Sequence, residues 1–205
     1  MSANLPRLAA AAAALAPVVF TVTFVAATLR TPGYSHMTDT VSALATVGRP
    51  HASLASASFI AYGTLVLPLG YAFARAMGAR GRRGLGLVLL ALFALYGLSD
   101  MLAGVFTDDL PGVSTTEGIA HDIIARVGFS AITAIMFVFI WAARDMPEFR
   151  ALTRFARAMA VLTILFGVLF LMGVWEEGRG VWQLGFFGTT LGWVQVSSVR
   201  LALRP

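Results

Sequence analysis

The sequence contains no cysteine and no lysine, and charged residues make up only 12% of its 205 positions. Without cysteine the chain can form no disulfide, no thiolate metal site and no cysteine nucleophile. A soluble domain carries about twice this charged fraction, whereas 58% of the residues here are apolar. The composition therefore indicates a protein that faces lipid, rather than a soluble domain.

Several apolar runs exceed the roughly 18 residues that indicate a bilayer-spanning helix. They predict an all-α fold, a polytopic bundle of six transmembrane helices that forms a single integral membrane domain over residues 1–205. The first run is too long for the apolar part of a signal peptide, so we expect it to remain as the first span. The predicted spans cover about residues 7–30, 54–77, 85–107, 118–143, 155–176 and 182–203.

All 15 basic residues are arginines, and their positions predict the orientation of the bundle. Arg30, Arg49 and Arg179 fall on one side and Arg126 falls within a span. The other eleven lie on the opposite side: Arg7, Arg75, Arg80, Arg82, Arg83, Arg144, Arg150, Arg154, Arg157, Arg200 and Arg204. Because basic loops stay in the cytoplasm, both chain ends are expected inside (N-in/C-in). This scatter between spans also argues against a basic groove, so no nucleic-acid partner is expected.

The other ionisable residues gather at the opposite, outer end of the predicted bundle. All three histidines and eight of the ten acids map there: His36, His51, His121, Asp39, Asp100, Asp108, Asp109, Glu117, Asp122, Glu176 and Glu177. Any chemistry that the protein performs is therefore expected at the outer leaflet.

The first outer loop is predicted to contain a short amphipathic helix over residues 38–47. Thr38 can cap its start, and Gly48 fits the position after its last turn. Asp39 and Ser42 would share a polar face opposite an apolar one. Such a helix would lie on the membrane surface, either as a lid over the bundle or with its polar face lining a site.

Asp100 and Arg126 lie within consecutive antiparallel spans, each about eight residues from the outer end. At 1.5 Å per residue both would sit about 12 Å below the outer surface, where a lone charge is costly and pairing is favoured. Asp122, four residues before Arg126, is an alternative partner. The arrangement would be either a structural ion pair or an anion-binding arginine held by carboxylates.

A second candidate site combines outer residues from three segments: His36, Asp39, Ser42, Asp108, His121 and Asp122. An imidazole beside carboxylates can transfer protons or bind a divalent metal. We expect Asp39, Asp108 and His121 to carry any catalysis. The sequence has no metal-ligand motif, so no metal is assigned; if a divalent metal binds, its ligands would be His36, His121 and Asp108. The cofactor is otherwise unknown.

Glu176 and its neighbour Glu177 follow the fifth predicted span. Carboxylates at the C-terminus of a helix oppose its dipole, so Glu176 is expected either to be solvated or to bind a partner, such as Arg179 or a cation.

Two outer segments carry a family resemblance. Residues 33–44 read GYSHMTDTVSAL and are followed by GRPHA at 48–52, while GVFTD at 104–108 is followed by GIAH at 118–121. They resemble an uncharacterised bacterial and archaeal membrane family, the domain of unknown function nine hundred and ninety-eight. Its pattern maps onto Asp39, Ser42, Asp108, Gly118 and His121. The resemblance implies six helices and the inner membrane of a prokaryote, and it implies no activity.

Three functions fit these observations. In the first, the protein binds or processes a membrane lipid or another lipophilic molecule, by lipid hydrolysis or by acid-initiated isoprenoid chemistry, with Arg126 on an anionic group. In the second it is a transporter or proton relay, although the inner halves of the spans lack ionisable residues. In the third it is a non-catalytic accessory protein. A bis-histidine haem site is disfavoured, because no histidine lies deep within a span.

Overall fold

The structure is a computed structural model that describes residues 4–110 and 112–203, and within these ranges it contains helices and no strand. Three short 3-10 helices cover Ser42–Ala45, Pro147–Phe149 and Glu176–Gly178. The α-helices are α1 (Leu5–Ala13), α2 (Leu15–Arg30), α3 (Ala52–Gly78), α4 (Arg83–Val105), α5 (Thr116–Ala143), α6 (Arg150–Leu171) and α7 (Arg179–Ala202).

α1 and α2 together occupy the first predicted span. They are interrupted at Ala14, three residues before Pro17. Because Pro17 has no N–H to donate to the carbonyl of Ala13, the regular hydrogen-bond ladder breaks there. The remaining five predicted spans each overlap one of the helices α3 to α7.

Five helical segments among the described residues are long and apolar enough to cross a membrane: Leu5–Arg30, Ala52–Gly78, Arg83–Val105, Thr116–Ala143 and Pro147–Leu171. α7 has a similar length, 24 residues, but contains more polar side chains. Several of these are buried, namely Gln183, Thr189, Thr190, Ser197 and Ser198. α7 therefore directs its polar face at the other helices rather than at lipid.

The helices form a closed ring in which α1 and α2 pack on α3, each later helix packs on the next, and α7 returns to α1. Glycines allow the closest approach, between α3 and α4. A Cβ built on Gly63 would lie 2.4 Å from the carbonyl oxygen of Gly97, and one built on Gly97 would lie 2.6 Å from that of Gly63. The small residues on these helices thus permit close packing.

α6 ends early. α5 has 28 residues and α6 has 22, so α6 is about 9 Å shorter at 1.5 Å per residue. Gly173, with φ +63°, ends it in a Schellman motif, because its N–H donates to Phe170 and the next N–H, that of Val174, donates to Leu169. The last turn of α6 reaches only the level of Phe129, whose ring centroid lies 6.3 Å from that of Phe170. The first turns of α5 are therefore left uncovered by α6.

The predicted amphipathic α-helix over residues 38–47 is not formed, and only the 3-10 helix Ser42–Ala45 is present. The Asp39 carboxylate instead accepts from the N–H of Ser35 at 3.0 Å. The N–H of Val41 donates to the side chain of Gln183 on α7 at 2.5 Å. These bonds pull the segment into the bundle, where Ser42 is buried, instead of leaving it on the membrane surface.

At one end of the bundle, which we call the arginine-rich end, residues 79–82 and 144–149 connect the helices. Arg80 pairs with Glu148, and Arg82 and Arg144 each approach Asp145 at 3.1 Å. Hydrogen bonds from Arg144 and then Arg82 lower the pKa of Asp145. The pairs join the two connections. Of the eleven arginines assigned to this side of the membrane, Arg204 lies outside the described residues.

Candidate functional site

The other end, which we call the polar end, consists of loop 31–51, loop 106–115 and turn 172–178. It contains a cavity of 420 Å³ between these loops and the helices α5, α6 and α7. The three segments of the predicted outer cluster meet there. The charged residues that line the cavity are Asp39, Arg49, Asp108, Asp109, Asp122, Arg126 and Arg179.

Asp39 lies in the wall formed by loop 31–51. Its carboxylate faces Arg49 at 3.8 Å, in addition to the bond from Ser35 described above. The hydroxyl of Tyr34 lies 3.5 Å from the backbone carbonyl of Asp39 and 3.4 Å from that of Thr40. Burial raises the pKa of the Tyr34 phenol, and the nearby Asp39 adds to this shift. Asp39 therefore lies on the cavity wall, paired with Arg49.

Asp108 joins the two loops. It accepts a hydrogen bond from the hydroxyl of Ser42 at 2.8 Å, and its other carboxylate oxygen accepts from the N–H of Asp109 at 2.9 Å. Ser42 and Asp108, 66 residues apart in the chain, are thus direct neighbours.

His121 is 3% exposed and lines the floor of the cavity from the second turn of α5. Its Nδ1 lies 2.7 Å from the carbonyl oxygen of Phe106. A carbonyl can only accept, so Nδ1 carries the proton of this bond. In the neutral ring Nε2 then keeps a free lone pair, which makes His121 suited to accept a proton or to hold a ligand hydroxyl.

The prediction that Asp100 contacts Arg126 is wrong. Arg126 faces Asp122 at 4.0 Å and both side chains are exposed, whereas Asp100 is buried and its Oδ2 has no hydrogen-bond partner among the described residues. Gly128 packs against α4 at Ser99, and two residues along a helix correspond to a rotation of about 200°. Arg126 therefore projects from the face of α5 opposite to the one that meets α4.

Besides Asp100, two predicted site residues lie outside the cavity lining. His36 is exposed, and its ring lies 5.2 Å from that of Tyr34 and 5.8 Å from that of Phe24. Glu176 is exposed in the 3-10 helix that precedes α7. Over residues 4–110 and 112–203, no three histidine or carboxylate side chains lie close enough to hold a metal ion. The ligand set considered for a divalent metal, His36 with His121 and Asp108, is therefore not assembled.

The lining residues that were not predicted include Arg49, Arg179 and Gln183. Arg49 pairs with Asp39, and Arg179 lies over the ring of Phe170 with its guanidinium carbon 5.2 Å from the centroid. Gln183 bonds to the backbone of loop 31–51. In the sequence, Gln183 could have been found as an amide side chain inside an apolar span.

Asp109 supports the start of α5. Its carboxylate accepts from both the N–H and the hydroxyl of Thr115, each at 2.7 Å, and Thr115 in turn accepts from the N–H of Gly118 as the N-cap of α5.

We expect Asp109→Ala to destabilise the protein by about 1–2 kcal/mol, because two hydrogen bonds to a half-exposed carboxylate are lost. Hydrogen exchange should accelerate over residues 113–118. Asp122→Ala removes an exposed carboxylate from α5 itself and should leave exchange over residues 113–118 unchanged, since an exposed ion pair contributes little. Equal exchange rates over residues 113–118 in the two variants would show that Asp109 does not support the start of α5.

Residues 14–200 match the model of a family described as "Protein of unknown function (DUF998)". No curated protein and no solved structure matches the chain. The family match confirms the resemblance drawn from the segments at 33–52 and 104–121.

Proposed function

This chain belongs to the DUF998 family of membrane proteins, and we propose that its polar-end cavity binds the head group of a membrane lipid or of another lipophilic molecule. The observation that carries this proposal is the composition of the cavity wall. Charged side chains of α5, α7 and both loops line it together with Phe129, Phe170 and Leu171.

An amphiphile fits such a wall. Its tail would lie along the aromatic and aliphatic side chains at the end of α6, where that helix stops short of α5. Its head group would then meet the guanidinium groups of Arg126 and Arg179, which suit phosphate or carboxylate oxygens. The same cavity offers Asp108 and His121 deeper inside, within reach of groups adjacent to the anion.

His121 and Asp108 could act on the bound molecule in two ways, by lipid hydrolysis or by isoprenoid rearrangement. With Nδ1 bonded to Phe106, the neutral imidazole is arranged as a base at Nε2, which suits activation of a water for hydrolysis. Isoprenoid rearrangement would instead require an acid that faces the double bond. The hydrogen-bonding state of His121 favours hydrolysis of a lipid over the second reaction, and Asp39, paired with Arg49, would hold the wall in place.

We also propose an orientation. The arginine-rich end would face the cytoplasm under the positive-inside rule, with both chain ends inside. The cavity would then open at the outer leaflet of the inner membrane of a prokaryote.

Native mass spectrometry on gently extracted protein tests the proposal. We expect bound lipid on the wild type, and we expect dioctanoyl phosphatidylglycerol to bind Arg126→Ala and Arg179→Ala about tenfold more weakly or worse. The reason is that loss of one hydrogen bond to a charged group costs about 1.5–3 kcal/mol, and 1.4 kcal/mol is tenfold in Kd.

Arg157→Ala is the matched control, because Arg157 is exposed on α6 and does not line the cavity. It should bind the probe as the wild type does. Retention of full affinity by both cavity variants, or an equal loss in the control, would overturn the proposal.

A further inference from the structure

A small void lies beneath the cavity, between α4, α5 and α7. Its volume is 20 Å³, close to the space that one water molecule requires. Five residues line both the void and the cavity: Ser42, His121, Ala125, Phe129 and Gln183. The void is therefore adjacent to the floor of the cavity, and His121 stands between the two spaces.

Asp100 faces this void. It is 9% exposed, and its Oδ2 is buried without a hydrogen-bond partner among the described residues. Of the described residues that line the void, His121 is the only other ionisable one. The phenols of Tyr62 and Tyr96 lie nearby but bond to each other at 2.9 Å. Among the described residues no cation is therefore placed to compensate a carboxylate at Asp100, and a buried carboxyl without a counter-charge is most stable as the neutral acid.

The polar groups around the void complete a path for a proton from Asp100 to His121. A water there would accept the proton of the Asp100 carboxylic acid and would have the hydroxyls of Ser42 and Ser99 and the amide of Gln183 as further neighbours. Since Nδ1 of His121 is occupied by the carbonyl of Phe106, Nε2 is the ring nitrogen that remains to receive a proton.

We propose that Asp100 stores a proton and passes it through one water in this void to Nε2 of His121. The O–H bond of the carboxylic acid breaks, the water accepts that proton and releases another, and an N–H bond forms at Nε2. The products are a carboxylate and an imidazolium. The pair stays neutral as a whole, so the transfer leaves no lone buried charge. This inference deepens the proposed function, on which it rests for its purpose: while the proton is on Asp100, His121 is the neutral base of the proposed hydrolysis, and the transfer converts it to an imidazolium, which is an acid.

Infrared spectroscopy of lipid-free protein in detergent at neutral pH tests the transfer path. We expect a carbonyl band of a protonated carboxylic acid in the wild type and its loss in Asp100→Asn. Asp122→Asn, which alters an exposed carboxylate, should retain the band. In His121→Gln the band should persist but shift in frequency, because the hydrogen-bonded water then has a different neighbour. If Asp100→Asn does not fold, aspartate labelled with ¹³C at its carboxyl identifies the same band in the wild type and in His121→Gln.

Three results would overturn the inference. The first is the absence of any band assigned to Asp100. The second is an unchanged frequency in His121→Gln. The third is a band that appears only when sodium is removed, which would make Asp100 a cation ligand. Because the spectra need no bound lipid, they can fail while head-group binding succeeds, and the reverse also holds.

Discussion

Gly63→Leu is expected to prevent the normal packing of α3 against α4 and to destabilise the protein by about 3 kcal/mol or more, the upper range for overpacking a core. A Cβ at this position would lie 2.4 Å from the carbonyl oxygen of Gly97 and 2.8 Å from the backbone nitrogen of Met101. Both are backbone atoms of α4, so they cannot move aside as a flexible side chain would. Thermal unfolding in detergent should show a markedly lower midpoint, together with a lower yield of folded protein.

Gly188→Leu provides the control for this substitution. Gly188 is exposed on α7, and a Cβ there would meet no heavy atom within 4 Å. The same chemical change should therefore leave the unfolding midpoint close to that of the wild type. If both variants unfold at the same temperature, the contact between the α3 and α4 backbones does not limit stability.

Gly180→Ala is expected to weaken ligand binding at the cavity strongly while the helices remain folded. Gly180 lies at the start of α7, where its N–H donates to the carbonyl of Met37 at 2.9 Å. An added Cβ would lie 2.5 Å from the carbonyl oxygens of both His36 and Asp39. A single methyl group would therefore displace the loop whose residues Asp39 and Ser42 form part of the cavity wall. We expect affinity for dioctanoyl phosphatidylglycerol to fall more than tenfold, and hydrogen exchange over residues 35–46 to increase.

Gly192→Ala is the matched control on the same helix, since a Cβ at Gly192 meets no atom within 4 Å. It should retain both lipid binding and slow exchange in the loop. Unchanged exchange in Gly180→Ala would show that the loop tolerates the added methyl, and it would remove the link between this glycine and the cavity.

The helices could be predicted from the sequence because a span requires a long apolar run, which is a local property. The largest error concerned α6, placed at about 155–176 but observed at Arg150–Leu171. Apolar residues continue through Val174 and Trp175, so hydropathy extended the span, whereas Gly173 adopts a positive φ and ends the helix. The gap that opens the cavity follows from this turn and was therefore not visible in the apolar pattern.

The sequence predicted which residues belong to the site better than it predicted how they are arranged. Asp39, Ser42, Asp108 and His121 do meet, because they sit near helix ends that the topology brings to the same end of the bundle. Asp100 and Arg126 share a similar depth, but depth does not fix rotation about the helix axis. A sequence gives no rotation for a helix that is apolar on most sides, so the separation of these two residues required the packed structure.

The conformation of the loop between α2 and α3 could not be predicted from local preferences. Capping residues and a polar stripe favoured an α-helix over 38–47, but these local preferences are worth only about 1 kcal/mol each. The bond from Val41 to Gln183 and the bond from Ser42 to Asp108 compete with them. Both partners lie more than 60 residues away in the chain, and only the folded bundle brings them within reach.

Because α6 ends at Leu171, neighbouring helices of the bundle differ in length. The 22 residues of α6 span about 33 Å, and the 28 residues of α5 span about 42 Å. A hydrocarbon layer about 30 Å thick matches α6, whereas α5 extends beyond it with the polar residues of its first turns, Glu117, His121 and Asp122. Under the head-group binding that we propose, phosphate groups beside α6 would lie at the height of Arg126 and Arg179, so a lipid would enter the cavity by a sideways step without being lifted out of its leaflet.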